Sequence, residues 1–491
     1  MTLQLPTEIW WKIFEILPLH DVIRAGRVNA VFLEIARELR YRNLKFVGYD
    51  EGTEGELENI RSVLVPMLVA YSGPKYYRSL SLGHYVRSLC IHPDAWSLRV
   101  STSTTPIQEK RRGLAKMLES IAHYVRYNRR KKSDTQIKPV DRTKKRMNEQ
   151  LQLVVKTMKA FGRVEQYCLI WPEHPYFDSD MSRTWPGSTE VTASFLSLLA
   201  IPSFCGNITS LQLSIPAHTL ESLALVETPS LKSLSVSLVK RPWNQSNTYL
   251  EQLAIFISGN SKTLQTLSIS CHDNLLDLDF FRFFHLLCRA EFAALHSFRF
   301  LWPESLRNLA VHSRTFIHKI SPRLHDLRLC YNVLYGELQP GTPSWISDIF
   351  SMQGSPSMLS SLTTLRLIGG FLSINIENLS AVLSSIAHHL AEFVLEDHVP
   401  LTLVEVKMVI EALSLSSSPL RRLSIEPKEL GPNVFDLLAF NFPQLQTLRL
   451  GFEVFSSSTT LQLFLTEDDP RFMSPDMPLS LVSLFLSDSI F

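Results

Sequence analysis

The sequence predicts an α/β protein in which a short helical module is followed by an irregular solenoid, its strands parallel and its helices on the convex side. Three observations predict this. A phrase of the form L-x-x-L-x-L, with Ile, Val or Phe standing in at some positions, returns twelve times from residue 208 onward. Helix-like stretches lie between many of its occurrences. The 491 residues also exceed what one ordinary core supports, so several domains or an elongated array is expected.

The module comes first. Residues 3 to 46 read LQLPTEIWWKIFEILPLHDVIRAGRVNAVFLEIARELRYRNLKF. Pro6 and Thr7 make a helix start, with Glu8 at the positive end of the helix dipole, and a first helix is expected over Glu8 to Leu17. Its polar residues Glu8, Lys12 and Glu15 fall at i, i+4 and i+7 and so share one narrow stripe. The rest of its circumference is apolar and needs cover on more than one side. Asp21 is expected to cap a second helix through about Val28, and Asn29 a third whose Phe32, Ile35, Ala36 and Leu39 share a face. Three short helices are too few to cover that surface by themselves, and a protein partner is the simplest cover.

These residues resemble an F-box, whose pattern is met at Leu5, Pro6, Glu8, Ile9, Ile13, Phe14, Leu17, Asp21, Val28 and Phe32. The resemblance spans about residues 3 to 45. Trp11 stands where the family usually has a smaller residue, and Phe32 where it often has Trp. The resemblance implies docking on a Skp-type linker subunit, and through it on the cullin of a ubiquitin ligase. The linker-binding residues it implies are Leu5, Pro6, Ile9, Ile13, Phe14, Leu17, Val28 and Phe32. Read without the resemblance, the same helices are a cap on the solenoid.

The repeated phrase begins at Ile208, Leu220, Leu231, Leu250, Leu264, Leu295, Leu324, Leu362, Leu390, Leu420, Leu445 and Leu481, with degenerate copies at Val86 and Val164. The starts advance by 273 residues over eleven steps, about 25 each, within the 20–29 window of leucine-rich repeats. Strand, turn, helix, strand is a solenoid unit that buries its apolar face only against its neighbours. Starts at 208, 220 and 231 are too close to hold helices, and tight turns are expected there. Only Leu324 to Asn332 completes the longer form ending in Asn, so an asparagine ladder is not general. The array resembles divergent F-box repeat proteins more than regular horseshoes.

In such strands the leucines point inward and the residue between the last two faces the concave surface. Arg299, Arg328, Arg366 and Arg449 hold that position, with Arg422 two residues earlier in its own unit. They suggest a basic stripe that receives an acidic or phosphorylated target segment, since Arg pairs bidentately with both. The plainer reading is solvated or internally paired arginines.

Residues 101 to 150 hold 14 Lys+Arg against 5 Asp+Glu. A helix is expected over 107 to 127, followed by clusters at Arg129–Lys132 and Lys144–Arg146, which read either as an import signal or anionic contact or as a solvated loop. From residue 200 onward 19 basic residues face 26 acidic ones, so nucleic acid is an unlikely partner for the chain as a whole. The organisation expected is therefore 1–48 helical module, 49–100 connecting segment with a first degenerate repeat, 101–150 basic insertion and 151–491 solenoid.

No apolar run reaches the length of a membrane span, and Glu8, Lys12 and Glu15 interrupt any leader-like core. A soluble protein of the cytoplasm, the nucleus or both is expected. The six cysteines are spread singly with no C-x-x-C, which signals neither a zinc knuckle nor a redox dithiol and fits small buried hydrophobes in a reducing compartment. No catalytic residue, metal or cofactor presents itself. The nearest phosphate-loop echo, Gly259 to Thr263, lacks two of its glycines, and His388–His389 reads as a helix end. The function expected is a non-catalytic adaptor of a cullin-RING ligase. The alternative is a repeat scaffold for protein interactions outside ubiquitination.

Overall fold

The computed structural model describes residues 5–46, 82–93, 151–152, 155, 158–159, 161–171, 188–239, 249–271, 279–303, 310–332, 359–369, 376–396, 399–414, 420–452, 454–455 and 485–488. The basic helix expected over 107 to 127 and the two basic clusters lie outside the described residues. The chain divides into two compact units, one comprising Met1–Ile215 with Leu225–Ser230, the other Pro216–Ala224 with Leu231–Phe491.

The first unit begins with α1 (Thr7–Ile16), α2 (Leu19–Ala25) and α3 (Ala30–Tyr41). Prolines set the first two starts. The Pro6 carbonyl accepts from the Ile9 and Trp10 amides, and the Pro18 carbonyl from those of Asp21 and Val22. Asp21 therefore lies inside the first turn of α2, beside His20 and Arg24, and is not the cap the sequence suggested. Helix α2 also stops at Ala25, short of the expected Val28. The chain goes on in tight turns, the Arg27 and Val28 amides bonding the carbonyls of Arg24 and Ala25, and a Cβ on Gly26 would lie 2.9 Å from the Ala36 Cβ of α3. Asn29 caps α3 as expected, its side chain accepting from the Phe32 amide at 2.8 Å. Phe14, Val22, Ile35 and Ala36 form the buried centre of these helices, with Trp10, Trp11, Ala25, Phe32 and Leu39 packed against it.

Helix α3 runs into β1 (Asn43–Phe46), which pairs in parallel with β2 (Ser88–Ile91), then β3 (Gln166–Ile170) and β4 (Ser210–Pro216). Helices α4 (Ser188–Leu196) and α5 (Pro202–Cys205) belong to the same unit. Phe204 stands edge-on to Tyr167, whose hydroxyl donates to the Phe195 carbonyl at 3.1 Å.

The second unit alternates strand and helix. Its strands are β5 (Ser233–Val239), β6 (Thr266–Cys271), β7 (Ser297–Pro303), β8 (Asp326–Asn332), β9 (Thr364–Ile368), β10 (Glu392–Glu396), β11 (Arg422–Ile425), β12 (Glu429–Leu430), β13 (Thr447–Phe452), β14 (Val454–Phe455) and β15 (Phe485–Asp488). Strands β12 and β14 pair with each other, and the rest follow one another in parallel in chain order. Between them lie α6 (Tyr249–Gly259), α7 (Phe280–Leu287), α8 (Ala310–Ile320), α9 (Ile376–Ile386), α10 (Leu403–Ser414) and α11 (Pro432–Asn441). Residues of β6, β9 and β10 alternate strictly between buried and partly exposed, so the sheet packs helices on one face and leaves the other open. The core is aromatic at its centre: Phe284 packs against Phe300 and Phe316, and Phe298 and Phe292 also meet Phe316.

One backbone device recurs at most of the described entries to paired strands. The carbonyl preceding a strand accepts the two successive amides that open the next one: Lys232 from Gln265 and Thr266, Gln265 from His296 and Ser297, His296 from His325 and Asp326. The chain continues through His325, Thr363, Ala391 and Arg421, and the first unit repeats it at Arg42, Arg87 and Glu165.

Ten of the twelve repeated phrases fall on strands, the last with only its final two residues described. The two others are helical. Leu220 to Leu225 lies largely in a 3-10 helix, Ala217–Leu223, and Leu250 to Ile255 lies in α6. Leu220 and Leu223 are buried while Leu225 is 91% exposed, and Leu250 and Leu253 are buried while Ile255 is 48% exposed. A spacing of three suits one face of a helix as well as a strand; the final leucine, two residues on, separates the cases. Without these two, 214 residues and seven steps separate Leu234 from Leu448, about 31 per repeat and more than the expected 25. Conversely, β1 is a repeat strand the phrase did not find, because its unit begins inside α3.

Candidate functional site

The N-terminal helices leave much of their apolar surface outside. Half of the exposed large hydrophobics among the described residues fall between Leu5 and Leu33: Leu5, Ile9, Ile16, Leu17, Leu19, Val28, Val31 and Leu33. Of the residues with an implied linker contact, Leu5, Pro6, Ile9, Leu17 and Val28 are exposed and Ile13 is half-buried. Phe14 is buried and Phe32 half-buried, with ring centroids 5.0 Å apart and Trp10 edge-on to Phe32 at 4.5 Å. Phe14 thus packs beneath the surface, in the centre of the three helices. The exposed members come from the start of α1 and the turns after α1 and α2, which Pro6, Pro18 and Asn29 hold in place.

The second candidate is the open face of the second unit. Register places Arg299, Arg328 and Arg366 side by side on β7, β8 and β9, and then Val394, Ser424 and Arg449 on β10, β11 and β13. The stripe is therefore interrupted at Val394. Four of the five arginines meet carboxylates of the same face. Arg328 holds both oxygens of Asp326 at 3.0 to 3.1 Å, and this hydrogen bonding raises its already high pKa. Glu392 sits between Arg366 and Arg422, and Glu396 takes Arg449 at 3.0 Å and Ser424 at 3.2 Å. Arg299 is exposed and meets no carboxylate among the described residues; it lies near Cys330, where its charge offsets part of the rise that burial gives that thiol. Of the five, Arg299, Arg422 and Arg449 are the most accessible.

No family model matches the sequence, and no curated protein does. Among solved structures, a chain of the yeast Rad7 and Elc1 complex is similar at 16% identity, covering 75% of this chain and 96% of that one with a TM-score of 0.40. The leucine-rich repeat-containing protein LegL7 from Legionella pneumophila is similar at 14% identity, covering 52% and 87% with a TM-score of 0.29. The fold itself rests on the geometry above: parallel strands, one per repeat, with inward leucines.

The phosphate-loop echo resolves as a helix end. Gly259 is the last residue of α6, and the amides of Asn260 and Ser261 bond the carbonyls of Ile257 and Ser258, so none converges on an anion. Histidines 388 and 389 close the turn after α9, as expected. Among the described residues no cluster of His, Cys, Asp and Glu has the grouping a metal needs, and no helix is long and apolar enough to cross a membrane. The cysteines depart from the expectation of burial. Cys205, Cys271 and Cys330 are buried, whereas Cys90, Cys168 and Cys288 are partly exposed, and Cys90 stands opposite Cys168.

Proposed function

We propose that the chain is a non-catalytic adaptor of a cullin-RING ubiquitin ligase, its N-terminal helices docking on a Skp-type linker subunit and its repeats holding a target protein. The observation that carries the reading is the apolar surface between Leu5 and Leu33, formed on three helices whose residues match the F-box pattern. Large apolar residues left exposed in such number on one small module mark an interaction site. On this reading the protein acts in the cytoplasm or nucleus. Affinity purification of the full chain is expected to recover a Skp-type linker and a cullin, and Ile9→Asp with Val28→Asp to lose both. Recovery of neither by the wild type, or equal recovery by the variant, sinks the reading.

On the same reading the open face of the second unit receives an acidic or phosphorylated segment through Arg299, Arg422 and Arg449, with Arg328 and Arg366 held in place by Asp326 and Glu392. Arg299→Glu with Arg449→Glu is expected to change the set of co-purified targets and leave linker recovery intact; an unchanged set means the stripe is idle. The face is built without the N-terminal helices, which favours a second reading, an interaction scaffold outside ubiquitination. Partners recovered without linker or cullin would decide for it.

A further inference from the structure

One row of the first unit's sheet runs Lys45, Cys90, Cys168, Gln212 across β1 to β4. The residues flanking the two thiols along their strands, Leu89, Ile91, Tyr167 and Leu169, are buried, so the row lies on the open face. Cys90 and Cys168 are direct register partners, and both are partly exposed. Neighbouring strands run about 4.8 Å apart, within the roughly 4.4–6.8 Å between Cα atoms that a disulfide spans. The register sets the two thiols side by side, and the Cys168 thiol donates to Gln212 Oε1 at 3.7 Å.

The two sulfurs are not equivalent. The neighbouring Cys168 thiol holds the Cys90 thiol below the ordinary thiol range, against the effect of burial, and His92 and Lys45 beside it act in the same direction. Cys168 is raised, by the neighbouring Cys90 thiol, by burial and by the negative charge beside it. The remaining four cysteines are pushed up by burial, and none of them pairs with another thiol. An accessible thiolate next to a protonated thiol is the arrangement of an attacking and a resolving cysteine.

We infer that Cys90 and Cys168 form a thiol–disulfide exchange site whose substrate is a low-molecular-weight disulfide, R–S–S–R. The Cys90 thiolate attacks one sulfur, forming Cys90–S–S–R and releasing R–S⁻. The Cys168 sulfur then attacks the Cys90 sulfur, its proton passing to the departing sulfur, and the second group leaves as R–SH. Two protein thiols are oxidised to one Cys90–Cys168 disulfide, and one small disulfide is reduced to two thiols. A small dithiol or excess monothiol reverses both steps. The site stands independently of the adaptor reading, because it uses only the row on β1 to β4.

The test is thiol mapping on the full chain, incubated folded with excess oxidised glutathione, quenched in acid, alkylated and digested for mass spectrometry. The expected result is the joint loss of two of the six thiols in one Cys90–Cys168 cross-linked peptide, while Cys205, Cys271, Cys288 and Cys330 remain alkylated. Cys168→Ser is expected to stop at a glutathione adduct on Cys90, and Cys90→Ser to leave Cys168 unmodified over the same time. Recovery of both wild-type thiols free, or of separate glutathione adducts on each with no cross-linked peptide, overturns the inference. Because the wild-type map decides alone, the outcome does not depend on either variant folding.

Discussion

Leu267 and Leu327, in the repeats of the second unit, are wholly buried, while Ile16 and Val28, on the N-terminal helices, are 84% and 70% exposed. Both regions are rich in large apolar residues, yet only one has covered them. A repeat strand has a copy of itself on each side and helices beneath, so every inward leucine finds a neighbour of the same shape. Three short helices can enclose little more than the cluster around Phe14 and Ile35, and what remains faces outward. One region is completed by its own chain; the other leaves part of its apolar surface uncovered.

The comparison can be broken or sharpened by substitution. Phe284→Ala removes a ring that meets Phe283, Phe300 and Phe316 in the repeat core. It is expected to cost about 3–5 kcal/mol, read as a lowered denaturant midpoint of the transition that carries the second unit. Gly26→Val places a side chain against Ala36 where α2 approaches α3. An expected cost of about 1–3 kcal/mol should appear as faster hydrogen exchange in α2 and α3, with the repeat amides unchanged. Ile16→Ser, at an 84% exposed site, is expected to alter stability by less than about 0.5 kcal/mol. Denaturation of the isolated protein checks this, and a large loss there would mean that the surface is already covered.

The repeats were legible because the leucine spacing of three and then two matches a strand whose last two apolar residues share a face. The same phrase misled at Leu220 and Leu250, where the first spacing fits a helix equally well and the third apolar residue, Leu225 or Ile255, points to solvent. The positions of the arginines could be read, but not their pairing. Asp326 lies two residues before Arg328 on one strand, whereas Glu392 reaches Arg366 and Arg422 only through the register of β9, β10 and β11. The Cys90–Cys168 pair was hidden for the same reason. Nothing along the chain ties residue 90 to residue 168, and only the alignment of the Val86 and Val164 phrases, strand against strand, brings them together. The exposed apolar surface of the N-terminal helices was anticipated from the near-continuous apolar circumference of α1, although Phe14 proved to be part of the core.

The paired-amide junction at the strand entries of the second unit joins each repeat to the next chiefly through backbone atoms, with Thr363 Oγ1 adding a bond to the His325 carbonyl. The accepting residues in the second unit are Lys232, Gln265, His296, His325, Thr363, Ala391 and Arg421, six residue types among seven positions. No side chain is specified there, so drift at these sites need not weaken the junction. The array can therefore change the chemistry along the rim of its open face one repeat at a time, acquiring new recognition while the scaffold that presents it stays the same.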